Sequence, residues 1–314
     1  MKKIIALMLG IALLLSLCAC GKASTEGEVV VRSVPRAASA ENAEEEPTPT
    51  PQEPEPTAVP ASNAASAYTL TDYVVVKDDN CAFIITGFEE NEFVLFMNAV
   101  CENYTDKAQV FLIEAASANG IMVNPLLIET VAAGAQADTQ MIVDKGTLAL
   151  YGITTVEELA FSLTVSSKEG YPVDYLLQGE EYVVYPTGLT ADTISAYAER
   201  EPQAGDIVLL DDETLTFIIT GNSTDSYWGY QVHCYIVNKT DKTLVITSKD
   251  ESVNGKPIET PFIERILPGK RCYTDLYFMP KNLDEIGVTT VTDVTFTLLV
   301  HGIDYPENTL TYKP

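Results

Sequence analysis

Histidine and tryptophan are nearly missing from this chain, with two of the first and one of the second among 314 residues. The two histidines, His233 and His301, each fall inside a strand-like pattern. That scarcity excludes most acid–base and zinc chemistry. Also missing are a nucleophile-elbow serine, a glycine-rich phosphate loop and a His-Glu-x-x-His helix. A nucleophilic Cys272 served by His233 is conceivable, since a reactive thiol needs a nearby imidazole. A lone strand histidine is more often structural, so no enzyme, catalytic residue, metal or cofactor is expected. Positive charge is short too, with 19 Lys and Arg against 45 Asp and Glu and a net charge of −26. Such a chain repels nucleic acid and anionic headgroups and favours cations or basic partners. The apolar run from Ile4 to Leu17 is too short to span a bilayer.

What is present begins at the N-terminus. Lys2, Lys3, that apolar run and Leu17-Cys18-Ala19-Cys20 resemble a bacterial lipoprotein leader and its lipobox. The resemblance implies that residues 1–19 are cleaved and that Cys20 carries a diacylglycerol on the outer face of the cell membrane. An ordinary signal peptide is the alternative. From Cys20 to Ala67, Ala, Ser, Thr, Glu and Pro dominate, as in Thr48-Pro49-Thr50-Pro51, and such a composition cannot bury a core. As extended polyproline it would reach on the order of 100 Å.

Beyond Tyr68 the chain repeats itself. Phe83-Ile84-Ile85-Thr86-Gly87 matches Phe217-Ile218-Ile219-Thr220-Gly221 at an offset of 134. After one inserted residue, Asn103 and Thr105-Asp106-Lys107 match Asn238 and Thr240-Asp241-Lys242 at 135, and Asn119-Gly120 matches Asn254-Gly255. Gly152, Phe161, Leu163 and Val165 likewise answer Gly287, Phe296, Leu298 and Val300. A period this long makes each copy a domain rather than a solenoid unit. The expected division is repeat 1 over 68–187, a linker over 188–204 with helix-compatible Thr190 to Arg200, and repeat 2 over 205–314.

Within each copy the apolar period is two. Leu159, Phe161, Leu163 and Val165 alternate with Ala160, Ser162 and Thr164, which predicts one buried and one mostly wet face. Asn-Gly pairs predict tight hairpins, and Pro280 to Ile286 before Gly287 predicts one capped helical turn. The expected fold class is all-β, two tandem antiparallel β-sandwiches of immunoglobulin-like shape, with a closed barrel as the alternative.

Three features carry candidate chemistry. Asp78-Asp79 and Asp211-Asp212 open equivalent strands and could offer oxygens to calcium, although the spaced ligands of a calcium loop are missing. Tyr227, Trp228 and Tyr230 follow Gly221-Asn222-Ser223-Thr224-Asp225, read as a polar turn, and have no counterpart in the first copy. They suit a recognition surface for a protein or a sugar, but a sandwich tryptophan is as often core. Cys81, Cys101, Cys234 and Cys272 lack metal-ligand spacing. Bridges between Cys81 and Cys101 and between Cys234 and Cys272, or four buried thiols, both remain open.

Taken together, the lipobox at Cys20, the Thr-Pro stalk and the doubled Asn-x-Thr-Asp-Lys and Asn-Gly turns resemble uncharacterised lipoproteins of clostridia-like Gram-positive bacteria with tandem immunoglobulin-like domains. That resemblance implies a lipid-anchored extracellular binding module. Its partner would be a surface protein or wall polymer, and a calcium-dependent or wall-polymer-binding domain is the alternative.

Overall fold

The period-two segments become strands, and the two copies of the repeat become two antiparallel β-sandwiches. The computed structural model describes residues 67–168, 173–194 and 199–314, so Cys20, the leader and nearly all of the stalk lie outside the described residues. In the first copy, β1 (Tyr73–Lys77), β2 (Cys81–Glu90), β3 (Val94–Asn103) and β7 (Gln136–Asp144) form a front sheet in the order β1-β2-β3-β7. The back sheet holds β4 (Gln109–Ala118), β5 (Ile121–Val123), β6 (Ile128–Val131), β8 (Leu159–Ser167) and β9 (Tyr175–Val184). The chain crosses between sheets from β3 to β4 and from β7 to β8, while β3 pairs with β7 and β4 with β8. This is the Greek key of an immunoglobulin-like sandwich, not a closed barrel.

The second copy repeats the plan. β10 (Ile207–Asp211), β11 (Leu215–Asp225), β12 (Gly229–Asn238) and β16 (Arg271–Phe278) make its front sheet. β13 (Leu244–Val253), β14 (Lys256–Pro257), β15 (Ile263–Ile266), β17 (Val294–His301) and β18 (Asn308–Tyr312) make its back sheet. The shared phenylalanines are the cores: Phe83 meets Phe161 edge-on at 6.2 Å, and Phe217 meets Phe296 at 5.8 Å. Burying each such ring contributes about 1.5–3 kcal/mol.

The repeated polar motifs lock turns. Asn103 is buried, and its Nδ2 donates to the carbonyls of Lys107, Val131 and Ala132 while its Oδ1 accepts from the Thr105 amide. Asn238 repeats this with Lys242, Ile266, Leu267 and Thr240. Asn119-Gly120 and Asn254-Gly255 turn β4 into β5 and β13 into β14, with all four residues at positive φ. The expected helical turn forms as α2 (Pro280–Glu285), closed by Gly287 at φ 62°. A counterpart of the same length, α1 (Lys145–Leu150), starts where Asp144 Oδ1 accepts from the Thr147 amide at 2.6 Å.

Two expectations fail where the copies meet. Both faces of β8 are buried, Ala160, Ser162 and Thr164 included, rather than one being wet. The second copy covers the start of that outer face, where Ala115, Met122 and Ala160 of the first copy pack into its core, while Thr164 accepts from the Gly179 amide of β9 within the first copy. The contact is continuous, because β16 pairs in parallel with β5 at Arg271 and Ile121, joining the second front sheet to the first back sheet. Around it, Lys270 Nζ lies 2.6 Å from Glu158, Arg265 lies 3.5 Å from Glu114, and Tyr151 stacks on Tyr273 at 5.0 Å. The linker is no helix over its described part: residues 191–194 form turns, and 195–198 lie outside the described residues. Arg200 fixes its far end by gripping both carboxylate oxygens of Asp206 at 2.6 and 2.7 Å, with its guanidinium 5.4 Å above the Tyr235 ring. Ser62–Pro314 is one compact unit.

Candidate functional site

Strand parity sorts the front face of the second copy. In β12, Tyr230, Val232, Cys234 and Ile236 point into the core, while Gln231, His233 and Tyr235 point outward. Tyr230 is therefore not part of a surface; its ring is 8% exposed and lies beside Tyr312 in the core. Its alternation with Val232 and Cys234 was the signal for this in the sequence.

Tyr227 and Trp228 do lie outside, 73% and 42% exposed. Their rings meet edge-on at 4.8 Å, and Trp228 lies 5.2 Å from Tyr277 of β16. The turn beneath them is held by the Asp225 side chain. Gly221–Asp225 is not a turn but the end of β11, paired as far as Asp225 with Gly229, because cross-strand hydrogen bonds carry these polar residues. The turn is the tight stretch after it, where Asp225 Oδ1 accepts from the amides of Tyr227 and Trp228 at 2.7 and 2.5 Å. The Trp228 amide above all holds the Asp225 carboxyl below the usual carboxylate range, with the Tyr227 amide and Gln231 adding to it. The inserted residue of the second copy falls in this turn. The first copy has its own aromatic there: Phe93, just before β3 and 67% exposed, above an Asn91 side chain that accepts from Phe93 and Val94. The second copy thus enlarges a feature that the first one shares.

The next rung of the face is a hydrogen-bonded polar pair. His233 and Asp275 lie opposite each other across β12 and β16, with Nδ1 and Oδ1 2.5 Å apart, and the Tyr277 hydroxyl lies 3.4 Å from the other oxygen of Asp275. Cys272 is not a partner of His233. The register sets Cys272 against Ile236, and it points into the core. Burial raises its thiol well above the ordinary value and pushes Cys81 up to about 11. All four described cysteines are free and buried, so neither bridge forms. The third rung pairs Tyr235 with Tyr273 at 4.9 Å, and Tyr151 of the first copy stacks on Tyr273.

The equivalent face of the first copy is built differently. Asn98 and Gln140, hydrogen bonded at 2.8 Å, occupy the places of His233 and Asp275. There the surface opens into a cleft of about 630 Å³ lined by Thr86, Glu89, Asn98, Glu129, Asp138 and Gln140.

The paired aspartates close turns. Asp78 Oδ1 accepts from the amides of Asn80 and Cys81, and Asp212 Oδ1 from those of Thr214 and Leu215. Asp211 meets Lys239 Nζ at 2.6 Å and Asp212 the Tyr305 hydroxyl at 2.5 Å. Among the described residues, no group of three His, Cys, Asp or Glu side chains could hold a metal ion, and no helix is long and apolar enough to cross a membrane.

No protein-family model matches the chain, and no curated protein does. Among solved structures it is similar to a Salmonella enterica SafA pilin in complex with the SafB chaperone, at 12% identity over 76% of this chain and 98% of that one, with a TM-score of 0.22. It is also similar to red sea bream transglutaminase, at 9% identity over 72% of this chain and 30% of that one, with a TM-score of 0.20. The strand order itself identifies the fold as two tandem immunoglobulin-like β-sandwiches.

Proposed function

We propose that this is a lipid-anchored extracellular binding module without enzymatic activity, which recognises its partner through the front face of the second sandwich. The supporting observation is the cluster in which Trp228 touches both Tyr227 on the same hydrogen-bonded turn and Tyr277 on β16, with Tyr227 and Trp228 exposed. Rings fixed in this way supply contact area at little conformational cost. The site is displayed on one continuous, doubly sandwiched body, at the end of an acidic, proline-rich tether.

Replacing Trp228 with alanine is expected to weaken binding to intact cell surfaces by about tenfold or more. Unfolding free energy should change by less than about 1 kcal/mol, as for an ordinary surface substitution. A stability loss nearer 3–5 kcal/mol, the scale for emptying a core aromatic site, would make Trp228 structural. The anchor is tested separately: Cys20→Ala should move the protein out of the membrane fraction or leave an uncleaved precursor, since the acyl chains supply about 0.8 kcal/mol per buried CH₂. Normal cleavage with full membrane retention would contradict it.

A further inference from the structure

We infer that the ligand of this face is an uncharged sugar chain. The inference rests on the binding reading above and gives it a ligand class. Along β12 and β16 the outward rungs follow one another at roughly 7 Å, twice the rise per residue of an antiparallel strand. Their chemistry alternates. The first rung is aromatic, with Trp228, Tyr227 and Tyr277. The second is the planar polar pair His233 and Asp275, and Gln231 borders both. A pyranose ring has an apolar face of C–H bonds that packs on a π-surface and an equator of hydroxyls that both donate and accept. Imidazole, carboxylate and phenol groups beside exposed rings match that pattern. A flat apolar protein partner would leave the His233–Asp275 pair desolvated without new hydrogen bonds, which is costly.

Charge narrows the class. A polyanionic polymer is repelled by a chain of net charge −26. A cationic peptide would need free carboxylates, yet Asp275 is already engaged with His233, and Asp225 with the turn amides and Gln231. The three-ring corner with its neighbouring polar rung is therefore fitted to a neutral, hydroxyl-rich ligand. The first copy, with Asn98 and Gln140 at the same rung, Ile142 in the place of Tyr277 and the single exposed ring of Phe93 in the place of Trp228, lacks the three-ring corner and is not expected to share the specificity.

The chain supplies its own probe, because Trp228 is its only tryptophan and its emission reports this corner alone. The full mature chain bearing Cys20→Ser would be titrated with soluble tetramers of N-acetylglucosamine, glucose and galactose. A saturable change in emission with at least one tetramer is expected, with an affinity that is the same at low and high salt. His233→Ala and Asp275→Asn should each weaken it by about tenfold or more, while Gln140→Ala leaves it unchanged. Melting temperatures of the variants, read alongside, separate lost contacts from lost folding. The sugar assignment is overturned if no tetramer changes the emission, if binding falls steeply with salt as for a basic partner, or if His233→Ala and Asp275→Asn bind as tightly as the parent. Failure of the sugars while Trp228→Ala still abolishes cell-surface binding would overturn the ligand class alone. Cell-surface binding untouched by Trp228→Ala would overturn the recognition surface itself.

Discussion

Asn238→Ala is expected to cost roughly 3–5 kcal/mol of unfolding free energy, and Asn103→Ala a similar amount. Each asparagine satisfies three backbone carbonyls from two separate chain segments through one amide nitrogen. At Asn238, alanine removes both N–H donors of the buried amide and the acceptor of the Thr240 amide, leaving Lys242 and Leu267 only their second donors, the Thr240 hydroxyl and the Lys270 amide, at about 1–3 kcal/mol for each group left unpaired, and also empties the space the amide filled. Aspartate keeps the acceptor toward Thr240 but turns the donor into a buried negative oxygen facing carbonyls, so Asn238→Asp should be no milder. Denaturant unfolding of each variant checks this. The control is Asn308→Ala, whose amide bonds only the exposed Pro306 carbonyl and whose loss should be small.

The second large effect belongs to the junction between the copies. Lys270→Met should cost about 3 kcal/mol and turn one cooperative calorimetric transition into two. Lys270 and Glu158 keep only 17% and 10% of their side-chain surface exposed, and removing the cation strands a carboxylate between two folded bodies. Adding Glu158→Gln to Lys270→Met should restore most of the loss, because a buried ion pair is worth little over a neutral pair once both charges are gone. Additive losses in the double variant would show that the two side chains act independently.

Much of the architecture was legible because both copies spell it the same way. Phe83 with Phe217, Phe161 with Phe296 and the Asn-Gly turns recur at a fixed offset, and alternation gives the strands. The function of the buried asparagines was not legible, since Asn-x-Thr-Asp-Lys reads equally well as a solvent turn. Only the fold brings Ile266 and Leu267 within reach of Asn238. The junction was hidden for a different reason. Comparing copies flags what differs, but it does not say what the difference serves. Tyr151, Glu158, Lys270 and Tyr273 are specific to one copy and hold the copies together, while Trp228 and His233 are equally specific and face outward. The wet face expected for β8 failed in part on the same ground, because the cover of Ala160 comes from the other copy. Within the candidate site, parity alone was enough to send Tyr230 inward, whereas Tyr277 came to Trp228 only through the pairing of β12 with β16.

The central claim, that the enlarged aromatic turn of the second copy is the recognition surface, is tested most directly by two variants of one fold position. Phe93→Ala and Trp228→Ala each remove an exposed ring just ahead of an equivalent strand. Retention of the mature Cys20→Ser chain on purified cell envelopes would be measured for both against the parent. Trp228→Ala should lose about tenfold or more in affinity while Phe93→Ala keeps that of the parent, with both variants melting within a few degrees of it. Equal retention of all three chains, or a loss confined to Phe93→Ala, would contradict the assignment.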